Sequence, residues 1–331
     1  MDTILRLVDA LQDRPYEAGE DVLREGENSD ELFLLSEGAV EILRKDVRIC
    51  EIAERGALFG EISALLGIPH MATVRTLRPS RFKVVNQVKP FLHQAPDVCR
   101  EVAVVLAWRL VETSNFLADL RTEFLLRSQA ASVEGSEESK LLGAFREYWL
   151  QSWKLFERQH YQDAGIETET LRYEQFLPGE VVLRQGVRDE KLLILRTGSV
   201  EVVKNETPLF MVWDRGVLFG EISALLGTGH TATVRALEPS TFQVVESADK
   251  LFRRHVDVAW YVARLLAKRL LDANKYFVGL KQQLKRLTDE LQKEQATQLV
   301  ELLEEAEQEM QKRHVLRPGG SGLHSRALEE T

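Results

Sequence analysis

Apolar and polar positions alternate in short runs early in the chain: ELFLL at 31–35, AVEILR at 39–44, ATVRTL at 72–77 and RFKVV at 81–85. Turn-rich spacers such as EGENSDE and LSEG separate them. Alternation puts every second side chain on one face of a strand, and strands this short and closely spaced predict an antiparallel sandwich or small barrel. The period then changes. Val102, Leu106, Leu110, Thr113, Leu117, Leu120 and Phe124 recur in steps of three and four, which predicts a helix with one apolar seam. A second seam reads Val262, Leu266, Leu270, Ala273, Phe277, Leu280, Leu284, Leu287 and Leu291. It slips at Gln295 and resumes at Leu299, Leu303, Ala306 and Met310, a stutter. Continuous from Val262 to Arg313, this helix would be about 75 Å long, more than one domain covers.

The two halves are copies. LFGEISALLGIPHMATVR at 58–75 returns 160 positions later as LFGEISALLGTGHTATVR at 218–235, with fifteen of eighteen residues identical. The offset holds from Gly19/Gly179 through Gly38/Gly198 and Gly60/Gly220 to Leu120/Leu280. Between the copies, SQAASVEGSEES reads as a hinge, followed by a helix with Leu142, Phe145, Trp149, Trp153 and Phe156 on one face. That aromatic stripe suits packing against the second barrel or the first unit's helix, or anchoring a partner protein. The expected layout is a first domain over 1–126, a linker over 127–139, a helix plus second domain over 140–285, a coiled-coil helix over 286–313 and a disordered Gly-rich tail over 314–331.

The repeated loop resembles the phosphate-binding cassette of cyclic-nucleotide-binding domains, Phe-Gly-Glu-Leu-Ala-Leu followed by Pro-Arg-Ala-Ala-Thr-Val. Phe59 to Ser63 with Pro69 to Val74, and Phe219 to Ser223 with Gly229 to Val234, fit it without gaps. The resemblance covers roughly 14–125 and 174–285 and implies an α+β chain: two jelly-roll β-barrels in tandem with flanking helices, as in the regulatory subunit of the cAMP-dependent protein kinase. It further implies a ligand site at Gly60, Glu61, Ile62, Ser63, His70 and Met71, repeated at Gly220, Glu221, Ile222, Ser223, His230 and Thr231. Glycine lets backbone approach a ligand, and free N–H groups of a short turn suit an anion. In the family the glutamate accepts a ribose hydroxyl and an arginine grips the cyclic phosphate; here His70 and His230 stand at the arginine's place. Imidazole lacks the bidentate fork and is mostly neutral at pH 7, so about 1.5–3 kcal/mol of charge-assisted bonding is missing. A hydroxyl after the arginine favours cGMP in the family, which Thr231 could supply and Met71 could not.

Composition narrows the classes. The 331 residues are 44% hydrophobic and 29% charged, ordinary for a folded chain, with net charge −9. That balance argues against a phosphate-neutralising nucleic-acid surface, and no apolar run reaches the length of a membrane span. Cys50 and Cys99 show no metal or redox spacing, and their repeat counterparts Phe210 and Ala259 mark them as core positions. Seven scattered histidines without an H-x-H pair exclude a cupin-type metal enzyme, and the C-terminal helix carries no helix-turn-helix. Three readings stand: a degenerate pocket on a protein-interaction platform, a weakly binding cAMP or cGMP sensor, or a site for another small anion. The expectation is a non-catalytic cytoplasmic regulatory or scaffold protein with no metal, a protein partner, and homodimerisation through Leu280, Leu284, Leu287 and Leu291.

Overall fold

The computed structural model describes residues 2–130 and 172–290 apart from Lys45, Glu206 and Asp214, with backbone alone over 116–130 and 275–290. The aromatic segment 142–156, Leu291 and the tail lie outside the described residues.

In the first unit, helix α1 (Asp2–Leu7) precedes β1 (Asp13–Tyr16), β2 (Asp21–Leu23), β3 (Glu31–Arg44), β4 (Val47–Ile52) and β5 (Leu58–Phe59). Then come α2 (Glu61–Leu66), β6 (Thr73–Asn86), α3 (Val88–Gln94) and α4 (Pro96–Ala130). The long strands β3 and β6 pair antiparallel through a bend, with Leu32↔Val85 at one end and Ile42↔Val74 at the other. The bend is made by Gly38 (φ 114°), where an added Cβ would lie 2.1 Å from Ser80 Oγ. No L side chain fits there.

The second unit repeats the order: β7 (Arg172–Phe176), β8 (Val181–Leu183), β9 (Leu192–Thr197), β10 (Val200–Lys204), β11 (Thr207–Val212) and β12 (Leu218–Phe219). These lead into α5 (Glu221–Leu226), β13 (Thr233–Ala236), β14 (Ser240–Val245), α6 (Ala248–Arg254) and α7 (Val256–Glu290). Here the bend at Gly198 breaks the strands, giving two four-stranded sheets, β11-β10-β13-β8 and β12-β9-β14-β7. The jelly-roll type is as expected, although its sheets face each other and do not close into a barrel.

The apolar run in β3 is buried on both faces, and alternation decides where each residue goes. Phe33 and Leu35 enter the sandwich core around Phe82, whose ring meets Tyr16, Phe33 and Phe59 edge-on. Leu32 and Leu34 point the other way, into a central cluster with the helices. The second unit does the same: Leu193 and Leu195 surround Phe242, and Leu192 and Ile194 join the central cluster.

That cluster settles where the seams meet. Val102, Leu106 and Leu110 of α4 and Val262, Leu266 and Leu270 of α7 are buried together within one chain, with α4 packed on α7. Each cassette helix also touches the other unit's long helix, α2 on α7 and α5 on α4. Polar contacts follow the same exchange. His93 Nε2 lies 3.1 Å from Asp257, and Arg253, which occupies the repeat position of His93, lies 3.4 Å from Asp97, the counterpart of Asp257. Such reciprocity is what a two-fold contact produces, here between two halves of one polypeptide. Cys50 and Cys99 are buried without a disulfide, and burial pushes the Cys99 thiol up to about 12. Helix α4 runs four residues into the stretch read as linker. Among the described residues no helix is long and apolar enough to cross a membrane.

Candidate functional site

Each cassette is a short helix entered through a left-handed glycine, Gly60 (φ 83°) before α2 and Gly220 (φ 91°) before α5. A Cβ at Gly60 would lie 2.8 Å from the Glu31 carbonyl, and one at Gly220 2.3 Å from that of Lys191. These glycines are therefore required by the approach of the neighbouring strand, whatever the loop binds.

Glu61 and Glu221 open their helices and are buried. Each meets an arginine from its own unit's long helix: Arg109 Nη1 donates to Glu61 Oε1, and Arg269 Nη1 to Glu221 Oε1. The second guanidinium nitrogen donates to a carbonyl just before the cassette, Leu58 O at 2.9 Å and Leu218 O at 3.5 Å. A carboxylate has two oxygens and several lone pairs, so one arginine bond orients it without exhausting it. Neither arginine was picked out from the sequence. A signal existed, since Arg109 is the one charged residue in the stretch 102–110 and both copies keep arginine at this place.

The histidines lie in the loops after the cassette helices, and both are buried. Their main chains are clamped identically: Gly26 N donates to His70 O and His70 N to Glu27 O, each at 2.8 Å, while Gly186 N–His230 O and His230 N–Val187 O are each 2.9 Å. The rings are held differently. His70 Nε2 is 2.9 Å from Ser29 Oγ, whereas His230 Nδ1 is 2.6 Å from Ser223 Oγ and its Nε2 3.2 Å from Asp189 Oδ1. The Asp189 contact has ion-pair distance but lies off the line of a hydrogen bond, leaving Nε2 buried without an aligned acceptor. Burial lowers the His70 pKa, against the pull of Glu61, Glu27 and Glu31.

Of the remaining expected residues, Ser63 Oγ donates to Pro69 O at 3.4 Å. Ile62 belongs to the central cluster, and Ile222 and Met71 pack on it, so these side chains serve the helix contact. Thr231 is half-buried beside His230. Leu280, Leu284 and Leu287 lie along α7. Among the described residues no group of His, Cys, Asp and Glu is arranged to hold a metal ion. The chemistry on offer is binding: an oriented carboxylate linked directly to its long helix, and a clamped imidazole.

The Cyclic nucleotide-binding domain family matches this chain twice, over residues 13–89 and 173–252. A cGMP-dependent protein kinase of Eimeria tenella is 25% identical over 284 residues, which are 85% of this chain and 24% of that one. A cAMP-dependent protein kinase regulatory subunit of Blastocladiella emersonii is 26% identical over 241 residues, 70% of this chain and 49% of its own length. The chain thus spans half or less of these relatives. A solved regulatory subunit of a cAMP-independent protein kinase A from Trypanosoma brucei is similar at 19% identity and a TM-score of 0.27, covering 78% of each chain. Two matches at the repeat offset, each enclosing one cassette, agree with the duplicated glycines, strands and helices above, and the chain carries two cyclic-nucleotide-binding domains in tandem.

Proposed function

We propose that this is a non-catalytic, cytoplasmic regulatory or scaffold protein whose two cassettes have given up tight nucleotide capture and whose surfaces engage a protein partner. The observation that carries this reading is the state of the two histidines, which the resemblance sets where the family has an arginine: each is buried and its ring bonds inward to the protein, and an imidazole offers no bidentate fork. Calorimetric titration with cAMP and cGMP at pH 6 and pH 8 tests it. No heat at millimolar ligand supports the scaffold. Micromolar binding that strengthens on acidification supports the second reading, a weak cyclic-nucleotide sensor using Glu61 or Glu221, backbone amides and a protonated histidine.

That second reading has an observation of its own. Glu61 and Glu221 are held and aimed by Arg109 and Arg269, as a hydroxyl-accepting carboxylate needs to be. A ligand hydroxyl drawing on Glu61 would move Arg109 and with it α4, so the glutamate–arginine pair is the route by which occupancy would reach the long helices. For assembly, we assign chain–chain pairing to the distal seam, Leu280, Leu284, Leu287 and Leu291, beyond the part that α4 and α7 bury within one chain. Truncation after Phe277 should give a monomer by sedimentation; a monomeric full chain would refute dimerisation, and a truncated dimer would move the contact elsewhere.

A further inference from the structure

An imidazole has two nitrogens, and the units use them differently. In the second unit Nδ1 of His230 is bonded to Ser223, and Nε2 is sealed from solvent beside Asp189. Asp189 Oδ1 is itself fixed by the Lys191 backbone N–H at 3.0 Å. In the first unit the counterpart of Asp189 is Ser29, which takes Nε2 of His70, while Ser63 turns to Pro69 O. Among the described residues Nδ1 of His70 has no hydrogen-bond partner, and it is not sealed as Nε2 of His230 is. The loops explain the difference in part. A Cβ at Gly229 would stand 2.4 Å from Gly186 O, so Pro69, its counterpart, cannot take the path that brings the His230 ring onto Ser223.

The surrounding charges differ in the same sense. Three carboxylates act on His70, and each has its own arginine: Glu61 with Arg109, Glu31 with Arg14 at 3.0 Å and Glu27 with Arg24 at 4.0 Å. Among the described residues Asp189 has no arginine or lysine at ion-pair distance, only the His230 ring. We infer that the cassettes are not equivalent: Asp189 closes the second to a phosphate-bearing ligand, and the first, with Ser29 there instead, accepts one through Nδ1 of His70. A phosphate reaching His230 must displace Ser223 and face an unneutralised carboxylate, a like-charge arrangement that interfaces use to reject the wrong partner. The inference rests on the second reading above, in which a ligand is still held.

The test is calorimetry on the full chain with cAMP, and with inorganic phosphate as the sugar-free control, comparing wild type, Ser29→Asp and Asp189→Ser. One cAMP per wild-type chain is expected, lost or weakened at least about tenfold in Ser29→Asp, with a second site appearing in Asp189→Ser. Two wild-type sites, binding that survives Ser29→Asp, or silence from both wild type and Asp189→Ser would overturn the inference; silence would leave the scaffold reading standing. Ligand-free long-range ¹H–¹⁵N spectra give an independent readout. Ser223→Ala should shift the His230 ring nitrogens and Ser63→Ala should leave those of His70 in place, and equal shifts would refute the asymmetry.

Discussion

Replacing Arg109 with methionine is the sharpest test of how the first cassette is held. Arg109 and Glu61 are each only 6% exposed as side chains, so methionine fills most of the volume but leaves a carboxylate buried without its cation. Removing one partner of a buried pair typically costs about 3–5 kcal/mol, mostly the stranded charge. The Leu58 carbonyl loses its donor as well, about 0.5–1.5 kcal/mol within that range. Adding Glu61→Gln removes the charge, so the double variant should be more stable than Arg109→Met alone, with a coupling of about 2–3 kcal/mol. At a slope of about 2 kcal/mol per molar urea, a 4 kcal/mol loss moves the midpoint by about 2 M. Two units need not unfold together, so hydrogen exchange on β6 and α4 in urea should report the first unit separately. An Arg109→Met cost below about 1 kcal/mol, or no rescue by Glu61→Gln, would refute the claim that this pair anchors cassette to helix.

Other expectations follow from single contacts. Gly38→Ala should destabilise by about 1–3 kcal/mol in thermal melts because its Cβ meets Ser80, while Gly26→Ala, with open space and only φ 84° to strain it, should cost about 1 kcal/mol. His70 is buried with its pKa lowered, so the folded state resists a proton that the unfolded chain accepts; stability should be full above about pH 6.5 and fall as pH drops below it, and His70→Asn should flatten that slope. Burial works to raise the Asp249 carboxyl, but hydrogen bonds from Arg253 and Arg100 outweigh it and hold its pKa low. Its contribution is therefore present above about pH 4 and lost as pH falls through the lowered value, and Asp249→Asn should remove that acid-side dependence. Cys99, its thiol pushed up to about 12 by burial, should not react with a thiol reagent at pH 8 until the chain unfolds; prompt labelling would show that the central cluster opens.

Much of the architecture was legible in one dimension because burial is periodic. Alternation in ELFLL predicts a strand, and the structure adds that its two faces enter two different cores, which a run of four apolar residues cannot reveal. The three–four rhythm from Val102 and from Val262 predicts seam helices, and the 160-residue repeat assigns equivalent places to Phe82 and Phe242 or His93 and Arg253. The cassettes were readable because glycine, glutamate and histidine recur there in order. Only the folded chain could show that the proximal seams cover each other within one molecule, since an apolar stripe states that it must be covered and not by what. Arg109 and Glu61 are 48 positions apart, and Ser29 and His70 41, so their pairing comes from strands and helices brought together by the core. Side-chain polarity has no period that announces such partners: the sequence determined which groups must leave water, and packing determined which of them met.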